Sequence, residues 1–166
     1  MIDDLSADLE SQHIQGFAVH GDTPFSMPLV SHIAGNLWMG GVRHGVPLPR
    51  DFRYVVSLHP WERYEVGPET EMVEVELFDS PAPLGAGTEI YGIAGWALGA
   101  VQDGKTLIHC QAGLNRSGLV SGLALILAGM EPRDAVELLR ERRSPAVLCN
   151  RTFERWLLER EEIRLS

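Results

Sequence analysis

The chain has 166 residues, 45% of them hydrophobic, which is enough for one sizeable core and favours one domain over two. Its net charge of −9, from 23 Asp and Glu against 14 Lys and Arg, excludes broad contact with nucleic acid or an anionic membrane, so an anion site here must be locally positive. No stretch reaches the roughly 18 apolar residues of a membrane span, the start MIDDLSADLE lacks a signal peptide's order, and two cysteines are too few for a disulfide framework; a cytoplasmic chain with free thiols is expected.

Residues 1–32 mix acids, Gly and Pro without sustained periodicity and read as a leader, loosely packed or partly disordered, with the compact domain over 33–166. Strands are predicted at Asn36–Gly40, Tyr54–His59, Met72–Phe78 and Thr106–His109, each bounded by Gly, Pro or charged turns. A helix over 88–102 places Ile90, Ile93, Ala94, Ala97, Leu98 and Val101 on one face, with Gly92, Gly95 and Gly99 read as allowing close packing. SGLVSGLALILAG, from Ser117, is apolar on nearly every side and reads as a helix in the middle of the domain. Amphipathic helices follow at 132–142, opened by Pro132, and at 150–161. Strands alternating with helices give an α/β fold with a central, mainly parallel sheet flanked by helices.

Between the last strand and the apolar helix lies HCQAGLNRSG, residues 109–118. A loop turning from a strand into a helix N-terminus aims backbone N–H groups and the positive end of the helix dipole at one point, where an anion belongs. Gly113 lets the loop curl, and Arg116 offers a planar fork for two phosphate oxygens. Cys110 heads the loop, in a field that favours thiolate over thiol. Nucleophile and phosphate cradle coincide, with Gln111, Ala112, Gly113, Leu114, Asn115 and Arg116 as the cradle.

The stretch resembles the His-Cys-five-residues-Arg-Ser/Thr signature of the cysteine-dependent protein tyrosine phosphatases. LWMGG at 37–41, VVSLH, an Asp upstream of the Cys and NRTFERWL near the end resemble the dual-specificity branch over roughly residues 33–160. The resemblance implies hydrolysis of phosphotyrosine, with phosphoserine and phosphothreonine as further candidates, through a phosphocysteine on Cys110. It implies that Asp79, in LFDSPAP, protonates the leaving oxygen, that Ser117 stabilises the departing thiolate, and that His109 holds the loop. Asp103, in a DGK turn, is the rival acid and has a sufficient turn role. No metal or cofactor is called for: His109 and Cys110, adjacent on a strand, point to opposite faces.

Other residues have plainer readings. Ser117 also serves as a helix N-cap, and Asn150 caps the last helix. Cys149 is either an inert thiol or a partner protecting Cys110 from oxidation. Arg133, Arg140, Arg142 and Arg143, interleaved with Glu137 and Glu141, read as a solvated helix face. Trp61 and Tyr64 either cover the core or stack on an aryl ring at the pocket mouth. The absence of lysine from Gln111–Asn115 fits a single phosphoester, on a phosphorylated protein or a small molecule, better than a polyanionic lipid. RNA 5′-triphosphatases of the same superfamily, rhodanese-type sulfurtransferases and non-catalytic phosphoprotein-binding modules are the alternatives.

Overall fold

The computed structural model describes residues 12–18, 20–62 and 64–160. Two strands, β1 (His13–Phe17) and β2 (Pro24–Pro28), form an antiparallel hairpin of their own. The main sheet is five-stranded, in the order β3 (Val30–Ala34), β4 (Leu37–Gly40), β7 (Thr106–His109), β5 (Tyr54–Ser57), β6 (Glu71–Glu74). All its pairs are parallel except β3 with β4. Helices α1 (Thr88–Asp103), α2 (Arg116–Leu127), α3 (Pro132–Arg142) and α4 (Arg151–Leu158) follow β6 or β7 in the chain.

Side chains alternating through the sheet build two apolar clusters. Leu37, Met39, Val56 and Ile108 face one way and pack with the buried sides of helices α1 to α4. Val55 and Leu107 face the other way, where the β4–β5 connection covers them with Val42, Leu48 and Phe52. The central strand β7 is therefore buried at every position, which is why TLIH reads as a continuous apolar run rather than an alternating one. Among the described residues, no helix is long and apolar enough to cross a membrane.

The α/β architecture and the mainly parallel sheet match the sequence reading; several details do not. The boundary expected at residues 32 and 33 falls inside β3, and residues 13–28, read as a loose leader, form the β1–β2 hairpin with Ile14 and Met27 in the core. Each of its strands buries a single side chain, and Pro24 and Pro28 stand at the strand ends, so neither alternation nor propensity marks it. Residues 1–11 of that leader lie outside the described residues. The glycines of α1 do not serve close packing: a Cβ at Gly92, Gly95 or Gly99 would meet nothing within 4 Å, because all three face solvent. The last helix ends at Leu158, and position 161 of the expected span is outside the described residues.

Two predicted strands end early, for a reason that concerns the site. The β5–β6 ladder closes with Val75 N–H on the Ser57 carbonyl, after which the chain leaves the sheet. The freed carbonyls of Leu58 and Leu77 both turn to Arg116.

Candidate active site

Strand β7 ends at His109 and α2 begins at Arg116, so Cys110–Asn115 forms a loop at the carboxyl ends of the parallel strands, where open α/β sheets present their sites. The loop's carbonyls are all engaged away from its centre. Gln111 O accepts from Val42 N–H at 2.9 Å, and Leu114 O from Leu148 N–H at 3.1 Å. Arg143 donates from Nε to Gly113 O at 2.7 Å and from Nη2 to Ala112 O at 3.0 Å. With the carbonyls turned outward, the peptide N–H edges are left for the interior, the arrangement that binds an anion.

Gly113 makes the curl possible. Its φ is +78°, and a Cβ there would stand 2.5 Å from the Gly40 backbone and 2.6 Å from Arg143 Nη2. Strand β4 thus ends in LWMGG with its last glycines pressed against the loop, and Cys110 N–H donates to Gly40 O at 3.2 Å.

Cys110 is buried, and its Sγ sits 3.2 Å from both the Gly113 N–H and the Ser117 Oγ. Ser117 lies within the first turn of α2, and the flanking cap residue is Asn115; the hydroxyl meets the sulfur and makes no capping bond, which corrects the expected N-cap role. Arg116 is buried too. Its Nη1 reaches Leu58 O, Leu77 O and His59 Nδ1 at 3.3–3.4 Å, whereas its Nε is buried without a partner. A buried donor left unmatched is costly, and an anionic oxygen in the loop would satisfy it. Burial, and then the Arg116 charge, lower the pKa of His59, so its Nδ1 accepts from the guanidinium.

His109 is fully buried, and burial pushes its pKa down to about 4, so the ring is neutral. Its Nδ1 faces Cys110 O at 3.2 Å and its Nε2 meets the Tyr64 hydroxyl. Nδ1–H donating to the carbonyl and Tyr64 O–H donating to Nε2 satisfies both nitrogens, and burial raises the Tyr64 pKa so that the phenol keeps its proton. Tyr64 therefore braces the loop from beneath. Trp61 stands half exposed between His59 and Phe78, outside the cavity wall.

Above the loop opens a cavity of about 630 Å³. Cys110, Arg116 and Asp79 line it together with the hairpin, which contributes the apolar side chains of Ile14, Phe17, Ala18 and Phe25 beside His13 and Gln15. Asp79 Oδ2 accepts from Asn115 Nδ2 at 3.1 Å, and Oδ1 accepts from Asn150 Nδ2 at 2.9 Å. Asn150 has a double role, since its Oδ1 also caps α4 by accepting from Thr152 and Phe153 N–H. Asp103 is at the far end of the sheet, bonded to Tyr54 at the start of β5.

Similarity to known proteins converges on the same loop. Residues 97–163 match the family described as dual specificity phosphatase, catalytic domain. That match takes in β7, the Cys110–Asn115 loop and helices α2 to α4, and covers less than half of the chain. Among solved structures, human DUSP28 superposes with a TM-score of 0.70 at 20% identity, covering 81% of this chain and 97% of that one. Tk-PTP in the active form superposes at 0.62 with 28% identity, over 80% and 98%. A human tyrosine phosphatase-like serine/threonine/tyrosine-interacting protein superposes at 0.67 with 21% identity, over 82% and 98%, so the fold by itself does not decide between turnover and binding. "Probable protein tyrosine phosphatase type IVA A" of Dictyostelium discoideum is 50% identical over 40 residues, 24% of each chain, so the match spans about a quarter of that relative.

The sequence-predicted residues Cys110, Arg116, Ser117, His109 and Asp79 meet around one cavity or directly beneath it. Cys149 lies against Asn115, 3.4 Å from its Nδ2. Two residues escaped the sequence reading. Arg143 is no solvated residue: it is buried, and beyond the loop carbonyls it donates to Pro28 O, Leu29 O and Ser31 Oγ. Burial brings its guanidinium down to about 10, and negative charge on Cys110 works against that shift, so it stays charged at neutral pH. The second is His20, in the hairpin turn, whose Nε2 lies 2.9 Å from Asp79 Oδ1.

Proposed function

We propose that this phosphatase hydrolyses aryl phosphate monoesters, phosphotyrosine first among them, through a phosphocysteine on Cys110. One observation carries the reading: a buried sulfur lies inside a loop whose carbonyls all face away, beside an arginine Nε with no partner. Such a site is matched to a phosphoryl group with three equatorial oxygens.

The Cys110 thiolate attacks phosphorus, the S–P bond forms, and the P–O pair leaves with the ester oxygen, which takes a proton from Asp79. Asp79, now a carboxylate, then accepts a proton from water as that water attacks phosphorus, and the S–P pair returns to Cys110. Ser117 Oγ, at 3.2 Å, hydrogen-bonds the returning sulfur. Arg116 and the loop amides hold the equatorial oxygens throughout.

The apolar hairpin wall supports an aryl ester, because Phe17, Ile14 and Phe25 offer a ring somewhere to lie while the phosphate sits in the loop. A nucleophilic thiol needs reducing surroundings, which accords with the cytoplasm. The test is release of phosphate from p-nitrophenyl phosphate: activity should persist in a chelator and vanish in Cys110→Ser, whose hydroxyl is not ionised at neutral pH. A Cys110→Ser protein that still turns over, or a wild type silenced by chelator, would remove the mechanism.

A further inference from the structure

The β1–β2 hairpin reaches the reaction through one side chain. Its turn is closed by Ala18 N–H on Thr23 O at 2.7 Å, and Thr23 Oγ1 donates to His20 O at 3.1 Å. Gly21 and Asp22 occupy the left-handed region, with φ of +70° and +48°. The turn so fixed delivers His20, half-buried, onto Asp79, 59 positions along the chain. His20 Nε2 lies 2.9 Å from Asp79 Oδ1 and 3.3 Å from Asp79 O. Both are acceptors, so Nε2 carries a proton and donates to them, tying the side chain and the backbone of Asp79 to the hairpin at once.

The donors are shared unequally between the two carboxylate oxygens. Oδ1 accepts from His20 Nε2 and Asn150 Nδ2, which fills its two lone-pair directions. Oδ2 accepts only from Asn115 Nδ2 and keeps one direction open. A proton added to this carboxyl therefore belongs on Oδ2. We infer that His20 is a positioning residue for the acid: with Asn150 it saturates Oδ1, so that the proton is held on Oδ2 and passes from there to the leaving oxygen as the P–O bond breaks. This rests on Asp79 being the acid of the proposed reaction. It also gives the hairpin a part in catalysis that no feature of the 109–118 loop supplies.

The experiment compares two esters, a phosphotyrosine peptide, whose phenol has a pKa near 10, and p-nitrophenyl phosphate, whose more acidic phenolate departs with little help. His20→Ala should lower kcat about tenfold on the peptide and about twofold on the nitrophenyl ester, with KM moving less than about twofold on either. His20→Gln, whose Nε2 can occupy the same donor position, should recover the peptide rate to within about threefold of wild type. Equal losses on both esters at unchanged KM, no loss on the peptide, or failure of Gln to restore the rate would overturn the inference. A collapsed hairpin in His20→Ala gives equal losses with a raised KM, and Gln, judged alone against wild type, still decides. Asp79→Asn separates the two levels: a steeper leaving-group dependence there with none in His20→Ala sinks this inference alone, and a flat Asp79→Asn sinks the acid assignment.

Discussion

On one side of the cavity the Cys110–Asn115 loop is held from behind by Val42, Leu148 and the buried guanidinium of Arg143, and Cys110, Asn115, Arg116 and Ser117 are all buried. On the other side the β1–β2 hairpin leaves Phe17 74% exposed, and bonds that tie it to the body include Arg43 to His13 O, Arg143 to Pro28 O and His20 to Asp79. Preorganised donors stabilise developing charge best, so the proposed phosphoryl transfer suits the wall with redundant support. Recognition of the rest of a substrate tolerates adjustment, and it falls to the two-stranded wall. The contrast assigns kcat mainly to the loop and KM mainly to the hairpin, with His20 as the exception that crosses over.

The sharpest break in that contrast is Arg116→Lys, which keeps the charge but not the fork and loses the Nε donor. A fall in kcat of about 10²–10³ is expected, with stability little changed; near-normal turnover in steady-state assays would take Arg116 out of the site. Arg143→Met should come next, leaving Gly113 O, Ala112 O, Pro28 O and Leu29 O without their donor. It should cost about 3 kcal/mol in urea unfolding and carry kcat down with it. If kcat holds while stability falls, the loop does not need its brace.

His109 makes the rigid wall sensitive to acid. Its pKa of about 4 lies below the ordinary 6.5 of a free histidine, so the unfolded chain binds the proton more readily; the stability it confers is intact above pH 6.5 and is lost as pH falls toward 4. The loss should reach about 3 kcal/mol. His109→Asn, which keeps a donor toward Cys110 O, should flatten unfolding free energy across that window; an unchanged slope would show that the ring is not held neutral.

Phe17→Ala tests the softer wall. KM for a phosphotyrosine peptide should rise about fivefold, kcat should hold, and stability should move less than about 0.5 kcal/mol. A kcat effect without a KM effect would reverse the division of labour. The smallest change lies away from both walls: Gly95→Ala on the solvent face of α1, where a new Cβ meets nothing, should stabilise by about 0.5–1 kcal/mol without altering either constant.

The loop's candidate residues were legible because the turn that holds them is local. Cys110, Gly113, Arg116 and Ser117 fall within one strand-to-helix turn, and spacing alone brings them together. The helices were legible for the same reason: Ile90, Ile93, Ala94 and Ala97 repeat at the helical period and are buried. What could not be read depends on tertiary contact. Arg143 follows a solvated helix in a run of charges, and nothing in that run shows that the 112–113 and 28–29 segments bring carbonyls to it. His20 sits among Gly, Asp and Pro, and its partner lies 59 residues away. The exposed glycines of α1 were misread because a helical wheel shows which positions are small without showing what stands opposite them.

The closeness of Gly40 to the Cys110–Asn115 loop has a bearing on how the site comes into being. Cys110 binds Gly40 O, Gln111 binds Val42, and Arg116 leans on Leu58 and Leu77, all far behind it in the chain. Helices α1 to α4 can gather from neighbours in sequence, but the socket closes only after β4 and β5 have flanked β7, and long-range pairing of that kind is slow. During refolding, helical signal should return before phosphate can be bound. A fragment restricted to residues 97–163 would carry the whole signature and no place to use it.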